Sequence, residues 1–526
     1  MAGSYKLVAV LGLLAFCVGV ARPANILGVF TSTSPSHLII HMSYIRAMVE
    51  RGHNATVITS LPIKDKNPKI HHILIPQSEQ RTKEIADANE RAKKPRNILQ
   101  KIRDGLNSAF SNAPRQADPI KDQRFQDFMH NPDNKFDLII MGYYFNNFHL
   151  GLAGHFKCPI VISFMTSTNL FLDRYIGNPP EVAYVPASPL VAAPNPLKFS
   201  GRLSNFMTNF IFRIFGFFLN WQEDNLYNEV FPPSKYPPFE EVKKKVSLVL
   251  CNSHFTDGFI RPNVPALVDV GGIQIKPKSN PLPEHLQKIF NASSEHGVIY
   301  LSFGSNIKSK DMNPQLYQII FKALAGLKQT VLWKWDAVEK PGNAPNIFYE
   351  SWLPQDDLLA NPNVKLFITH AGKGGVTESQ YHGVPMVAIP FYADQISNGA
   401  AVERDGFGVK IDQNTMTSET LKAAVMEVLE NPKYVRKVKQ FSSLYRDRPM
   451  HARDTAVYWL EYVLRHKGAY HMQSPLVHLS GFQYLSLDVI GFLLLVVFLV
   501  YKSITIPTKF VYRKIFAKKE PKIKEN

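Results

Sequence analysis

Residues 352–395 restrict what this chain can fold into more than any other part of it. They read W-L-P-Q-D-D-L-L-A-N-P-N-V-K-L-F-I-T-H-A-G-K-G-G-V-T-E-S-Q-Y-H-G-V-P-M-V-A-I-P-F-Y-A-D-Q. The apolar run 364–369 predicts a buried strand, followed by His370, a small-residue turn with Gly372, Gly374 and Gly375, and then a helix. A strand, a glycine turn and a helix start make an anion site, because the first helical amides lack partners and sit at the positive end of the dipole. Glu378 and the pair Asp394–Gln395 add acceptors suited to sugar hydroxyls. The G-K-G-G stretch is not a phosphate-binding P-loop, since G-x-x-x-x-G-K-[ST] does not occur. Gly406-Phe407-Gly408 lacks the third glycine of a dinucleotide fingerprint and reads as a loop before a strand. Trp352 or His370 alone would read as packing residues, but the whole set at this spacing reads as a nucleotide-sugar site.

The stretch resembles the signature of the UDP-glycosyltransferases. The resemblance implies that Trp352 and Gln355 hold the uracil and ribose, and that His370 and Gly372 hold the diphosphate. It further implies that Glu378 holds the ribose and that Asp394 and Gln395 hold the sugar. Ser305, after the strand expected at 297–303, joins the donor-binding set, as does Gly375 at the end of the turn. Two positions depart from the family pattern. Ala371 stands where Gly is common after the His, and Gly375 where Ser or Asn is common. Both keep the turn small, but a side-chain donor to phosphate is lost.

The same resemblance places the catalytic base at His37, in T-S-T-S-P-S-H after the first strand. A histidine suits that work because its unperturbed pKa of about 6.5 lies near working pH. His41, one turn on, reads as a packing or capping residue. In the family an Asp orients the base, after the strand that reads F-D-L-I-I here. Asn147 stands where that Asp is expected. An amide can accept a hydrogen bond from the ring but cannot neutralise an imidazolium, so acceptors with acidic groups, such as phenols, are favoured.

Strand and helix patterns alternate in two blocks, which predicts an α/β protein. Strands are expected at 25–31, 55–59, 136–141, 159–164, 248–251 and 268–275, then at 297–303, 329–335, 364–369 and 386–389. The resemblance implies two Rossmann-like doubly wound domains facing a cleft, the GT-B architecture, plus one C-terminal transmembrane helix. The expected boundaries are a signal peptide at 1–21, an acceptor-binding domain at 22–275, a linker at 276–283 and a UDP-sugar domain at 284–440. A return helix and stalk follow at 441–484, then a transmembrane helix at 485–506 and a basic tail at 507–526. Residues 177–186 resemble the family's acceptor loop, and 206–221, rich in Phe and Ile, reads as a core or membrane-associated helix.

The two ends set the compartment. Lys6, an apolar run and Gly19-Val20-Ala21 read as a secretory signal. The uncharged run 489–501 is short for a span, so Asp488 and Lys502 are expected at the interfaces. Residues 502–526 carry eight Lys and Arg against two Glu, which predicts a cytosolic tail and a luminal body. The ending K-I-K-E-N resembles a dilysine retrieval signal, so the endoplasmic reticulum membrane is the expected location. The formal charge is +17, but the cluster 81–103 is broken by acids and lacks aromatics, so a solvated helix is expected rather than a nucleic-acid site. Cys158 and Cys251 read as buried thiols, with one disulfide as the alternative. Asn291 and Asn54 are glycosylation acceptors by sequence, with Asn291 expected in a loop.

The expected function is inverting transfer of a hexose from a UDP-sugar to small lipophilic acceptors, with no cofactor. No Asp-x-Asp occurs, which fits a metal-free mechanism resting on the helix dipole and turn amides. Y-H-G-V-P and L-x-x-C-N-S-H-F resemble invertebrate members, which generally use UDP-glucose, so glucose is favoured over glucuronate. The expected partners are the donor, the acceptor and membrane lipid; homo- or hetero-oligomers with related transferases stay open. The alternative is a weak or inactive member that binds a nucleotide sugar or lipophile. An NAD-type oxidoreductase fails for want of G-x-G-x-x-G.

Overall fold

The structure is a computed structural model that describes residues 22–79, 81–84, 87, 98–186, 198–258 and 260–516. The expected signal peptide, part of the basic cluster 81–103 and the end of the tail lie outside the described residues. The chain divides into two compact units, one ending at Gln473 and one starting at Ser474.

The first unit holds two parallel sheets. The first sheet comprises β1 (Asn25–Phe30), β2 (Asn54–Thr59), β3 (Ile70–Leu74), β4 (Leu138–Gly142), β5 (Ile160–Phe164), β6 (Val246–Cys251) and β7 (Leu267–Asp269), in the order β3-β2-β1-β4-β5-β6-β7. The second comprises β8 (Val298–Ser302), β9 (Thr330–Lys334), β10 (Ile347–Glu350), β11 (Val364–Thr369), β12 (Met386–Ala388) and β13 (Gly408–Lys410), in the order β10-β9-β8-β11-β12-β13. Both orders reverse direction once, between β1 and β4 and between β8 and β11. Ligands of such folds bind at that switch point, outside the carboxyl ends of the strands.

Successive side chains of a strand face opposite sides, and here both sides are dry. Ile299, Leu301, Leu366 and Ile368 belong to one core layer of the second sheet, while Val298, Tyr300 and Phe367 belong to the other. That explains why these strands read as unbroken apolar runs. The helices that matter for the site are α1 (Pro35–Glu50), α2 (Phe199–Val230), α3 (Lys373–His382) and α4 (Gln395–Arg404). Two more lie near the end of the unit, α5 (Pro432–Arg446) and α6 (Ala452–His466). α5 runs across the expected boundary at 440 and packs on α3, so the second domain reaches Arg446. α6 sets Ala456, Val457, Leu460 and Val463 into the core of the first sheet.

Three local expectations change. The strand expected at 268–275 stops at Asp269, because Gly271-Gly272 turns the chain and Gly272 sits at φ +82°. Asn291 is not in a loop; it lies exposed on the last turn of the helix Glu284–Ala292, where its side chain accepts from Gln287 at 2.9 Å. Cys158 and Cys251 are both free, and only Cys251 is fully buried.

α2 is amphipathic in an inverted sense. Its inner face carries Asn205, Asn209 and Glu223 beside Phe215, Leu219 and Tyr227. Its outer face exposes Phe199 (72%), Phe206, Phe210, Phe217 and Trp221 (65%). The inner Asn205 is satisfied by the carbonyls of Val182 and Val185 at 2.7 and 2.8 Å. The polar residues of the stretch therefore mark its contact with the protein, and the residues 206–221, read as a core or membrane-associated helix, stand largely outside the core.

In the second unit, α7 (Leu487–Phe516) is long and apolar enough to cross a membrane. It is longer than the span expected at 485–506. Pro507 interrupts one hydrogen bond of the ladder without ending the helix, so residues expected in the tail continue it.

Candidate active site

The residues expected to hold the donor follow the carboxyl ends of four strands: Ser305 after β8, Trp352 and Gln355 after β10, His370 to Glu378 after β11, and Asp394 and Gln395 after β12. Thr369 ends β11, and its hydroxyl accepts from the Ala371 amide at 3.2 Å. Gly372 then caps α3. The turn works only because Ala371 takes φ +61°, a left-handed conformation that glycine adopts freely and alanine does not. The ring of His370 fits between two glycines: a Cβ on Gly304 would lie 2.6 Å from its Cε1, and one on Gly372 would lie 2.4 Å from its Nε2. One edge of the ring reaches the cleft, yet burial and the nearby Lys334 charge hold its pKa down at about 4. His370 is therefore neutral at pH 7, and its buried Nδ1 has no partner.

Beside this turn the polar groups are already paired. Gln355 Nε2 donates to Glu378 Oε2 at 2.6 Å, and Gln355 Oε1 accepts from the Tyr300 hydroxyl at 3.0 Å. Burial pushes the Glu378 carboxyl up to about 7, against the opposing hydrogen bond from Gln355. Gln395 Oε1 accepts from the Phe391 and Tyr392 amides at 2.9 and 3.2 Å, which locks the P-F-Y-A-D-Q turn. Asn398 joins the two turns, donating to Asp394 Oδ2 at 2.8 Å and to the Ala371 carbonyl at 3.0 Å. Trp352 stays 57% exposed at the rim, with Lys334 Nζ 4.9 Å from its ring centre. Lys64 Nζ lies 5.9 Å from the same ring, and an exposed indole is a surface on which a base can stack.

The first half presents His37 on the first turn of α1, at the switch point beside β4. Pro35 starts the helix, where a missing amide costs nothing. The His37 ring is half-buried, with Tyr144 5.4 Å away between ring centres, and burial lowers its pKa to about 4. A neutral imidazole is the form a general base requires. The expected partner fails. Asn147 does not face His37; its amide donates to Glu223 of α2, in a buried group with Arg174. The cause is local. Asn146 folds back on the strand end, accepting from Tyr144 N and donating to Gly142 O, and Phe145 takes φ +57°. That turn sends Asn147 into the short helix Asn147–Leu150, against α2. The atom beside His37 Nδ1 is Ser32 Oγ, at 2.9 Å. Among the described residues no carboxylate pairs with His37. His41 bonds the Ser163 hydroxyl inside the core, as a packing residue does.

The two halves meet across the cleft. Ser34, at the start of α1, and Asn306, in the turn with Ser305, bond at 3.2 Å. Lys373 of α3 pairs with Asp257, and Lys276 with Asp357. A cavity of about 340 Å³ opens between them, lined by Thr166, Asp173 and Arg261 on one side and by Lys373, Asp394 and Asn398 on the other. It therefore reaches Asp394, which is expected to hold the sugar.

Residues 27–522 match the family described as UDP-glucoronosyl and UDP-glucosyl transferase. This chain belongs to the UDP-glycosyltransferase family. It is 32% identical over 525 residues to UDP-glycosyltransferase UGT5 of Dactylopius coccus, across 97% of this chain and 98% of that one. It is 35% identical over 372 residues to UDP-glucuronosyltransferase 2B14 of Oryctolagus cuniculus, across 69% of this chain and 68% of the other. Its fold is shared with the calicheamicin glycosyltransferase CalG4, with a TM-score of 0.55 at 16% identity, over 84% of this chain and 99% of that one. The protein is an enzyme that transfers sugar from a UDP-sugar to an acceptor, on a GT-B framework.

For this UDP-glycosyltransferase, sequence reasoning missed Lys334, Ser32 and Asn398. Lys334 had a visible signal: it is the last residue of a strand, where side chains face the cleft. Its ammonium donates to the Gly304 carbonyl at 2.6 Å, which aims it at the turn expected to hold phosphate.

Proposed function

We propose that this enzyme transfers a hexose, glucose in preference to glucuronate, to small lipophilic acceptors such as phenols. The transfer inverts the anomeric centre and uses no metal. His37 Nε2 takes the proton of the acceptor hydroxyl as that oxygen attacks the anomeric carbon. The bond from that carbon to the β-phosphate oxygen breaks on the opposite face, and an α-linked donor gives a β-glycoside. The charge left on UDP falls to the α3 amides, the His370 ring and Lys334. Trp352, Gln355 and Glu378 hold the nucleoside, with Asp394 and Gln395 on the sugar. The observation that carries this reading is the placing of His37 and of the donor set at the two switch points, joined by the Ser34–Asn306 bond.

In the same proposal α7 anchors the body on the luminal side of the endoplasmic reticulum membrane. A second reading, a weak or silent member that binds the donor without turning it over, is favoured by one observation, the absence of a carboxylate at His37. Membranes expressing the full chain decide, assayed with a simple phenol and either UDP-glucose or UDP-glucuronate, beside His37→Ala. Turnover that prefers UDP-glucose and is lost in His37→Ala supports the first reading. UDP binding without turnover from either donor supports the second.

A further inference from the structure

The loop from β1 to α1 reads T-S-T-S-P-S-H, and its second residue folds back onto the helix that follows. Ser32 is buried, accepts the Ser34 amide at 3.2 Å and lies 2.9 Å from His37 Nδ1. We propose that Ser32 is the positioning residue of the base: its Oγ accepts the Nδ1–H of His37 and so keeps the lone pair on Nε2, toward the acceptor. The inference rests on the reading of His37 as the general base.

A neutral imidazole carries one N–H, and the hydrogen bond at one nitrogen fixes which nitrogen stays basic. A serine oxygen has two lone pairs. The Ser34 amide occupies one and fixes the oxygen in place, which leaves the other for the ring. Pro35 has no amide to compete, and Ser34 itself is tied to Asn306 across the cleft. The other groups near the ring do not take this role. Tyr144 meets it ring to ring, with Arg115 beyond, and His41 on the same helix is held by Ser163. Asn147 turns its amide N–H to Glu223, and its Oδ1 makes no hydrogen bond to the ring.

A hydroxyl orients the ring as a carboxylate would, but it supplies no charge to the imidazolium that forms. The site then suits acceptors whose oxygen gives up its proton readily, and phenols should outrun aliphatic alcohols. The test uses full-length protein in membranes, with both donors, a phenol and an aliphatic alcohol, and UDP binding measured in each variant. Ser32→Ala should lower kcat about tenfold with donor KM unchanged, and Ser32→Thr should restore it. Ser32→Asp should raise the acid limb of the kcat/KM profile by about one pH unit or more and favour the alcohol. Asn147→Asp should do neither.

Unchanged kcat in Ser32→Ala with an unmoved limb in Ser32→Asp overturns the inference, as does a shift produced by Asn147→Asp alone. Should Ser32→Ala lose UDP binding, and with it the fold, the Ser32→Asp limb decides. Full activity in His37→Ala, or a parent silent with both donors, removes the reading of the base and this inference with it. A dead His37→Ala beside an indifferent Ser32 removes this inference alone.

Discussion

At the switch point of the second sheet, the side chains that face the cleft hold one another before any ligand arrives. Gln355 sits between Tyr300 and Glu378, Gln395 grips two amides of its own turn, and Asn398 ties Asp394 to the glycine turn. At the switch point of the first sheet, His37 has one hydrogen-bond partner among the described residues, the neutral Ser32 hydroxyl, while the buried carboxylate of Glu223 on α2 pairs with Asn147 and Arg174. The same strand order thus carries a densely paired side, where the donor is proposed to bind, and a sparely bonded side around His37. A nucleotide is a fixed shape that rewards a preset cage. If His37 is the base, as proposed, a cage of its own would only narrow the acceptors it could serve.

Replacing His37 with Ala should break the contrast from one side only. Initial rates should fall about a hundred- to ten-thousand-fold, the usual contribution of a general base, while UDP binding by calorimetry stays unchanged. Trp352→Ala should break it from the other side, weakening UDP binding by about 1–3 kcal/mol, the worth of a base stacked on an aromatic ring, and leaving kcat at saturating donor unchanged.

Glu378 sharpens the contrast through pH. Its folded pKa of about 7 lies above its ordinary 4.5, so the folded state binds more protons between those values and stability falls as pH rises through that window. Thermal unfolding at pH 5 and at pH 7 should show this loss, on the order of 1–3 kcal/mol, and Glu378→Gln should flatten it. The smallest effect belongs to Ala371→Gly. Relief of the left-handed alanine, offset by glycine's greater entropy loss, should stabilise the protein by about 1 kcal/mol, read as a higher midpoint of thermal unfolding.

How far the sequence could be read differs between these regions for physical reasons. The strand expected at 364–369 is β11, Val364–Thr369, and most of the residues expected to hold the donor lie within residues 352–395 around it, so their nearness was legible from the chain. Edge strands were harder. Ile70–Leu74 carries His71 and His72 and is not fully buried, and Ile347–Glu350 is short and half-polar, so neither stands out as an apolar run. Richness in Phe and Ile marked 206–221 as an apolar helix but could not say which way its apolar side turns, because the inner face of α2 is anchored by Asn205 and Glu223. The Asn147 expectation failed because a fixed offset from a strand says nothing of a turn in which Phe145 reverses the sign of φ.

The outward face of α2 has a practical consequence for handling this enzyme. Cutting the chain after Gln473 removes α7 but leaves ten large apolar side chains between Phe199 and Trp221 in contact with water. Contiguous apolar surface of that kind drives association. The trimmed catalytic body should still need detergent to stay monodisperse, and charges placed at Phe206, Phe210 and Phe217 should remove that need without touching the cleft.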